Sequence, residues 1–350
     1  MLLKTEIIGL FILILLGGCI RNEILPENGS STGWIVGNPY NEYGTIYYTV
    51  NEGFYWQREG FPTNIPDVPL NDVSSANVRE AWVCGPPVEG YGLVLYTDDG
   101  GCNWVRKGNK SQLRNITFLK IYAKKTQYVW TIGTNGWVSF SSDKGGTWTK
   151  SVPDSLGSYI FQNMTCSDSG SIWVVGYDST QIQPQNMLLF SNDNGSTWTI
   201  QHPEIPVNTS ITRLFSINDT TVWLSAGNTL YGSVDCGITW NKKTEIADGI
   251  ITGISASNEK EVWLITNTGH ILHTENGGGT WRISNPFGLE NALTSITMSG
   301  TNRIWITGTS TKLGSEGIIL YSRNGGTTWF LQDYPGVCGL NSISFAFGNR

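Results

Sequence analysis

Charge is scarce in this chain: 22 Lys and Arg stand against 28 Asp and Glu in 350 residues, a net charge of −6. No cluster of basic residues occurs, which argues against a nucleic-acid partner, because phosphates are met by massed cations. Histidine is rarer still, with only His202, His270 and His273. Three histidines so placed make a poor metal site, and no Ser-His-Asp arrangement is specified. The glycines are not followed by helices, so no phosphate-cradling loop is present. Long apolar runs are also missing apart from residues 7–16, "IIGLFILILL", which are too few to span a bilayer. Abundance lies elsewhere, in 42 Gly and 15 Trp, a usage that suits many short strands joined by tight turns.

The apolar run follows Lys4 and precedes "LGGC", residues 16–19. It has the shape of a signal-peptide core. "LGGC" resembles the bacterial lipobox, and that resemblance implies cleavage after residue 18 and diacylation of Cys19. Residues 1–18 are then a signal peptide and residues 19–32 a tether with about 20 Å of root-mean-square reach. Ile20 carries no inner-membrane retention signal of the Asp type, which points to an outer membrane or cell surface. The remaining cysteines, Cys84, Cys102, Cys166, Cys236 and Cys338, are odd in number and irregularly spaced. They specify neither a disulfide framework nor a zinc site.

A pattern of Ser or Thr, any residue, Asp or Asn, any residue, Gly, two further residues and Trp recurs seven times, as in "SNDNGSTW", residues 191–198. Its tryptophans lie 48, 44, 50, 42, 41 and 48 residues apart, the period of a propeller or solenoid. A second tryptophan marks each unit, at Trp34, Trp82, Trp130, Trp173, Trp223, Trp263 and Trp305, leaving Trp137 outside the repeat. In the last complete unit, residues 293–298, 304–307, 317–321 and 328–331 read as strands A to D, separated by Gly- and Asn-rich turns. Residues 340–350 begin another unit, and Gly33 and Trp34 continue it. The C-terminal strand is therefore expected to complete the N-terminal blade. The fold class is all-β, a seven-bladed propeller over residues 33–350, closed so that no sheet edge is left unpaired between the chain ends.

The recurring pattern resembles the Asp-box of the bacterial neuraminidase repeat, found in sialidases, some glucanases, sortilin-type receptors and photosystem II stability/assembly factor-like propellers. The resemblance implies a turn between strands C and D at the outer rim. Asn51, Asp99, Asp143, Asp193, Asp235, Asn276 and Asn324 are then turn-holders, because a carboxylate or amide oxygen accepts backbone N–H bonds within its own turn. Asn at three positions fits this role, since an amide cannot act as a base. A calcium reading of "NDNGS" lacks the further oxygen ligands such a site needs. No cofactor or metal is called for.

Sialidases of this repeat family use an arginine triad, a tyrosine–glutamate nucleophile and an acidic donor; here no such constellation converges along the sequence. Glu89, Asp178 and Glu316 fall in loops between strands B and C, where a carboxylate pair could be built. The whole chain after residue 18 is similar to the assembly factor-like type, although its acidic composition departs from the basic propeller face of that family. This implies a non-enzymatic, monomeric binding platform held outside the cytoplasm by lipid. Its partner is expected to be a protein, with a glycan-binding or glycoside hydrolase role as the alternative. Function is then sought on the face made by the B–C and D–A loops. The longer units at Trp305, Trp34 and Trp82 are neighbours in a closed ring. Their loops offer Tyr40, Tyr43, Phe61, Tyr91 and Tyr334 as candidate partner-contact residues, the alternative being that they pack on their own loops.

Overall fold

A computed structural model of the chain describes residues 31–58, 65–124, 128–181, 186–206, 209–288, 291–310, 316–336 and 338–347. Cys19 and Phe61 lie outside the described residues, as do the signal peptide and all but the last two residues of the tether.

The described residues form seven sheets of four antiparallel strands each. The inner strands, A, are Leu340–Phe347, Asp72–Ser75, Phe118–Lys124, Tyr159–Cys166, Ile211–Ser216, Ile251–Ala256 and Asn291–Ser299, for blades 1 to 7. Blade 1 is assembled from both ends of the chain. Its strand A, Leu340–Phe347, pairs with strand B, Ser31–Tyr40, from Ser31 opposite Phe347 to Gly37 opposite Leu340. In blade 7 the strands are Asn291–Ser299, Arg303–Ser310, Glu316–Ser322 and Phe330–Leu331. Strand D starts two residues later than the alternation suggests. The N–H of Thr328 is taken by the Asn324 side chain at 2.9 Å, so residues 328 and 329 belong to the turn.

The core lies between blades, not within them. Each turn tryptophan packs with the strand-B tryptophan of the preceding blade. Trp104 meets Trp34 edge-on at 5.5 Å, Trp198 meets Trp130 at 6.4 Å, and Trp329 meets Trp263 at 6.1 Å. The pairs Trp148 with Trp82, Trp240 with Trp173 and Trp281 with Trp223 share clusters in the same way. At the step that closes the ring, Trp56 of blade 1 and Trp305 of blade 7 share a cluster in which Phe345 meets both, at 6.0 and 3.9 Å. A large aromatic at each step excludes water from a seam that runs the height of the blade.

The recurring glycine is explained by the same seam. Gly195 adopts φ +75°, and a Cβ there would sit 2.2 Å from Cη2 of Trp130. Gly326 repeats the arrangement against Trp263. Both a left-handed backbone and the tryptophan face forbid a side chain. Gly195→Ala is therefore expected to cost about 1–3 kcal/mol, combining backbone strain with overpacking. A urea midpoint unchanged from wild type would refute this.

Candidate functional site

The turns between strands C and D are self-contained. In the stretch 191–198, Asp193 Oδ1 accepts the Ser191 hydroxyl at 2.7 Å and the Thr197 N–H at 2.9 Å, and Oδ2 accepts the Thr197 hydroxyl at 2.6 Å. Ser191 Oγ in turn accepts the Gly195 N–H at 2.8 Å. Asp143 and Asp235 hold the same bonds, and Asp99 differs only in that its Oδ2 accepts the Asn103 side-chain amide at 2.7 Å in place of a threonine hydroxyl. At Asn276 and Asn324 the amide donates to the threonine hydroxyl, at 2.9 Å in each case. In blade 1 Tyr55 replaces that threonine, and Asn51 Oδ1 accepts the Thr49 hydroxyl at 2.8 Å and the Tyr55 N–H at 3.0 Å.

These bonds hold two carboxyls far from neutrality. The Thr147 N–H, then its hydroxyl, lowers Asp143 to about 2, and the Thr197 hydroxyl, then its N–H, lowers Asp193 to about 2. Such groups are anions at neutral pH and cannot serve as proton donors. A folded pKa below the usual 3.8 means the contribution is complete above that value and is lost as pH falls from about 4 to about 2. The melting temperature of the wild-type protein is therefore expected to drop across that window, and that of the D143N/D193N double variant to drop less. Equal slopes would show that these turns do not titrate with folding.

Opposite this rim lies the central channel, lined by all seven inner strands. One residue per blade forms a single layer. Asp72, Lys120, Asn163, Arg213, Gly253, Ser295 and Ser342 each stand opposite the residue two places beyond the strand-B tryptophan. An innermost strand leaves backbone N–H groups on its open side, and side chains of the neighbouring blade satisfy several of them. Asp72 Oδ2 accepts the Ile121 N–H at 3.0 Å, and Asn163 Oδ1 accepts that of Leu214 at 3.1 Å. Ser344 and Thr165 accept from Ser75 and Ser216, at 3.1 and 2.9 Å. Asp72 also takes the Ser342 hydroxyl at 2.6 Å and pairs with Lys120 at 2.9 Å.

In blades 2, 4, 5, 6 and 7 the turn of the box bonds its own A–B turn, as Gly100 N–H does to Arg79 C=O and Gly325 N–H to Asn302 C=O, so the boxes and A–B turns share one face. The B–C and D–A loops form the other. There Tyr40, Tyr43, Tyr91 and Tyr334 are half-buried. Arg58, two residues past its turn tryptophan, donates to the carbonyls of Tyr40 and Tyr43 and lies 3.9 Å from the Tyr43 ring centroid. Arg106 repeats this in blade 2, bonding Val88 and Tyr91 carbonyls at 2.7 and 2.8 Å, with its guanidinium 3.4 Å from the Tyr91 ring. In blade 3, Lys150 lies over Trp137 at 5.8 Å, which gives the tryptophan outside the repeat its role. Each cation caps a B–C turn by covering the aromatic that opens strand C. Tyr334 packs on Tyr47 at 5.1 Å and donates to the Cys338 carbonyl at 3.2 Å.

Other candidates are dispersed. Glu89, Asp178 and Glu316 stand in blades 2, 4 and 7. The Thr180 N–H and hydroxyl lower the Asp178 carboxyl, the opposite of what a general acid requires. Arg303 pairs with Glu52 at 2.6 Å, and Arg282 with Glu275 at 3.0 Å. Among the described arginines, Arg213 alone lines the channel. His273 stacks on Trp263 at 3.8 Å, with Nε2 2.7 Å from Glu261 and Nδ1 2.9 Å from Arg282. Since a guanidinium can only donate, Nδ1 accepts and Nε2–H donates. The seam between blades 7 and 1 carries an aromatic patch that the sequence reading missed. Phe54 is 73% and Tyr55 67% exposed, and Phe54 joins Phe330 and Leu331 around a cavity of about 390 Å3. The signal was present, because the first box alone places two aromatics before its tryptophan.

Together the seven four-stranded blades, the inter-blade tryptophans and the polar channel define a seven-bladed β-propeller. Residues 162–339 match the model of the DUF6242 beta propeller domain, just over half of the chain, and the chain belongs to that family. No curated protein matches the sequence. Among solved structures it is similar to YCF48 bound to D1 peptide, at 20% identity over 84% of this chain and 89% of that one, with a TM-score of 0.65. It is also similar to YCF48 from Cyanidioschyzon merolae, at 18% identity over 79% and 94%, TM-score 0.61. A GH74 xyloglucanase from Xanthomonas campestris matches at 12% identity over 90% of this chain and 55% of that one, TM-score 0.60. At these identities the likeness is one of fold.

Proposed function

We propose that this chain is a non-enzymatic propeller, anchored outside the cytoplasm by lipid on Cys19, whose B–C and D–A loop face binds a protein partner as an assembly platform. The box residues, in this reading, are corner-holders of the Asp-box type. The observation that carries the proposal is the state of Asp72, the carboxylate of the channel layer. It is committed to Lys120, the Ile121 N–H and the Ser342 hydroxyl, so it clamps three blades instead of standing ready as an acid or base. Glycoside hydrolysis needs two carboxyl groups across one bond. The likeness to a YCF48 that binds D1 peptide supports a protein ligand over a glycan.

Two experiments test this. Cys19→Ser is expected to move the protein from the membrane to the soluble fraction; retention in the membrane would remove the lipid anchor from the proposal. Affinity capture from native membranes is then compared between the wild-type protein and a variant with the B–C turns at 38–42 and 86–90 replaced by two-residue turns. A specific protein recovered at least tenfold less by the variant supports the face assignment. Hydrolysis of a glycan panel by the purified protein, with no loop-dependent capture, would overturn it.

A further inference from the structure

The channel layer leaves one positive charge unanswered. Its charged members are Asp72, Lys120 and Arg213, two cations and one anion. Asp72 bonds Lys120, a backbone N–H and a hydroxyl and forms no ion pair with Arg213, on which it acts only through space. Arg213 comes from blade 5 and holds itself in place through its own backbone and the next blade. Its Nε donates to the Thr252 carbonyl, and one terminal nitrogen donates to the Thr212 carbonyl at 2.9 Å. A guanidinium carries five donors, and these two bonds use two of them on a side chain that lines the channel.

Two residues flank Arg213 in the layer. The next blade contributes Gly253, where a Cβ would press on Ile265 at 2.8 Å and Ile296 at 3.0 Å, so the seam with blade 7 fills that position and no side chain from it reaches the guanidinium. On the other side, blade 4 contributes Asn163, whose Oδ1 is occupied by the Leu214 N–H, leaving its amide NH2 as a further donor. Burial lowers the Arg213 pKa, a sign that its charge is poorly hydrated. A desolvated guanidinium without a carboxylate of its own is costly, and bidentate oxyanions are the partners its geometry fits.

We propose that the central channel is a binding site for one small oxyanion, a carboxylate or phosphate group, held by Arg213 with the Asn163 amide and Lys120 in the same layer. The site is independent of the loop-face reading. Its occupant is either a free ion or an acidic group presented by a partner, and the two sources share the same chemistry.

The purified full chain is titrated with inorganic phosphate and with acetate against a chloride background at fixed ionic strength, reading isothermal heat and melting temperature. Saturable binding of at least one anion is expected, with a rise in melting temperature that levels off. Arg213→Gln is expected to weaken binding at least tenfold while melting no lower than wild type without the anion. Arg213→Lys, which keeps the charge, controls for folding and is expected to retain part of the affinity. Binding that does not saturate, or an equal response in Arg213→Gln, would overturn the site. If saturating phosphate leaves partner capture unchanged, the occupant is a free ion; if it abolishes capture, the partner supplies the acidic group. Failure of the loop-turn variant alone touches only the loop-face reading.

Discussion

A chain ending at residue 339 is expected to lose its single cooperative unfolding transition altogether. The missing residues are the inner strand of blade 1, paired along Ser31 to Gly37. They also bridge to both neighbouring blades. Ser342 and Ser344 bond Asp72 and Ser75 of blade 2, and the Ile343 N–H bonds Ser295 of blade 7. Phe345 stacks on Trp305 at 3.9 Å. Burial of Leu340, Ile343 and Phe345 alone is worth roughly 5–9 kcal/mol at about 1.5–3 kcal/mol each. That is a large part of the whole stability of an ordinary domain, about 5–15 kcal/mol. Urea titrations followed by circular dichroism and by tryptophan fluorescence settle the matter. One shared midpoint at the wild-type position would mean that the ring does not depend on its closing strand.

The second large effect is expected for Trp305→Ala, a loss of about 3–5 kcal/mol, since the side chain is fully buried and no small neighbour can refill the space. Beyond its stacking with Tyr321 and Phe345, the indole N–H donates to the Glu52 carbonyl of blade 1 at 3.0 Å. The substitution thus opens the seam at its closing step. Trp198→Ala removes a half-buried indole and is expected to cost less. Urea midpoints of the two variants test the ordering; equal losses would show that the closing seam is not special.

The ring was legible in the sequence because a repeat prints its register seven times. One box is ambiguous, whereas seven fix the strands between them, and the partial unit at residues 340–350 shows where the ends meet. Legibility failed where a contact joins residues that no repeat links. Tyr43 and Tyr91 read as candidate contact residues because the cations that cover them, Arg58 and Arg106, lie fifteen residues further along. Trp137 looked like an irregularity until Lys150 was found above it. The channel layer was hidden for a different reason. Asp72, Lys120 and Arg213 share no local pattern, and only the inner-strand irregularities that precede residues such as Lys120 and Arg213 bring them to one height. The start of strand D was misplaced because a threonine N–H can serve a ladder or a turn, and Asn324 claims it first.

The edge-on indole pairs have an optical consequence. Trp34 with Trp104, Trp130 with Trp198, and Trp263 with Trp329 sit edge-on, with planes at 86°, 81° and 76°. Chromophores that close and that strongly inclined exchange excitation, so the intact protein should absorb left- and right-circularly polarised ultraviolet light as a coupled array. Three blade boundaries, between blades 1 and 2, 3 and 4, and 6 and 7, contribute such a pair to that signal. A ring opened at one of them would report the lost boundary as a missing fraction of the aromatic ellipticity, with no label attached.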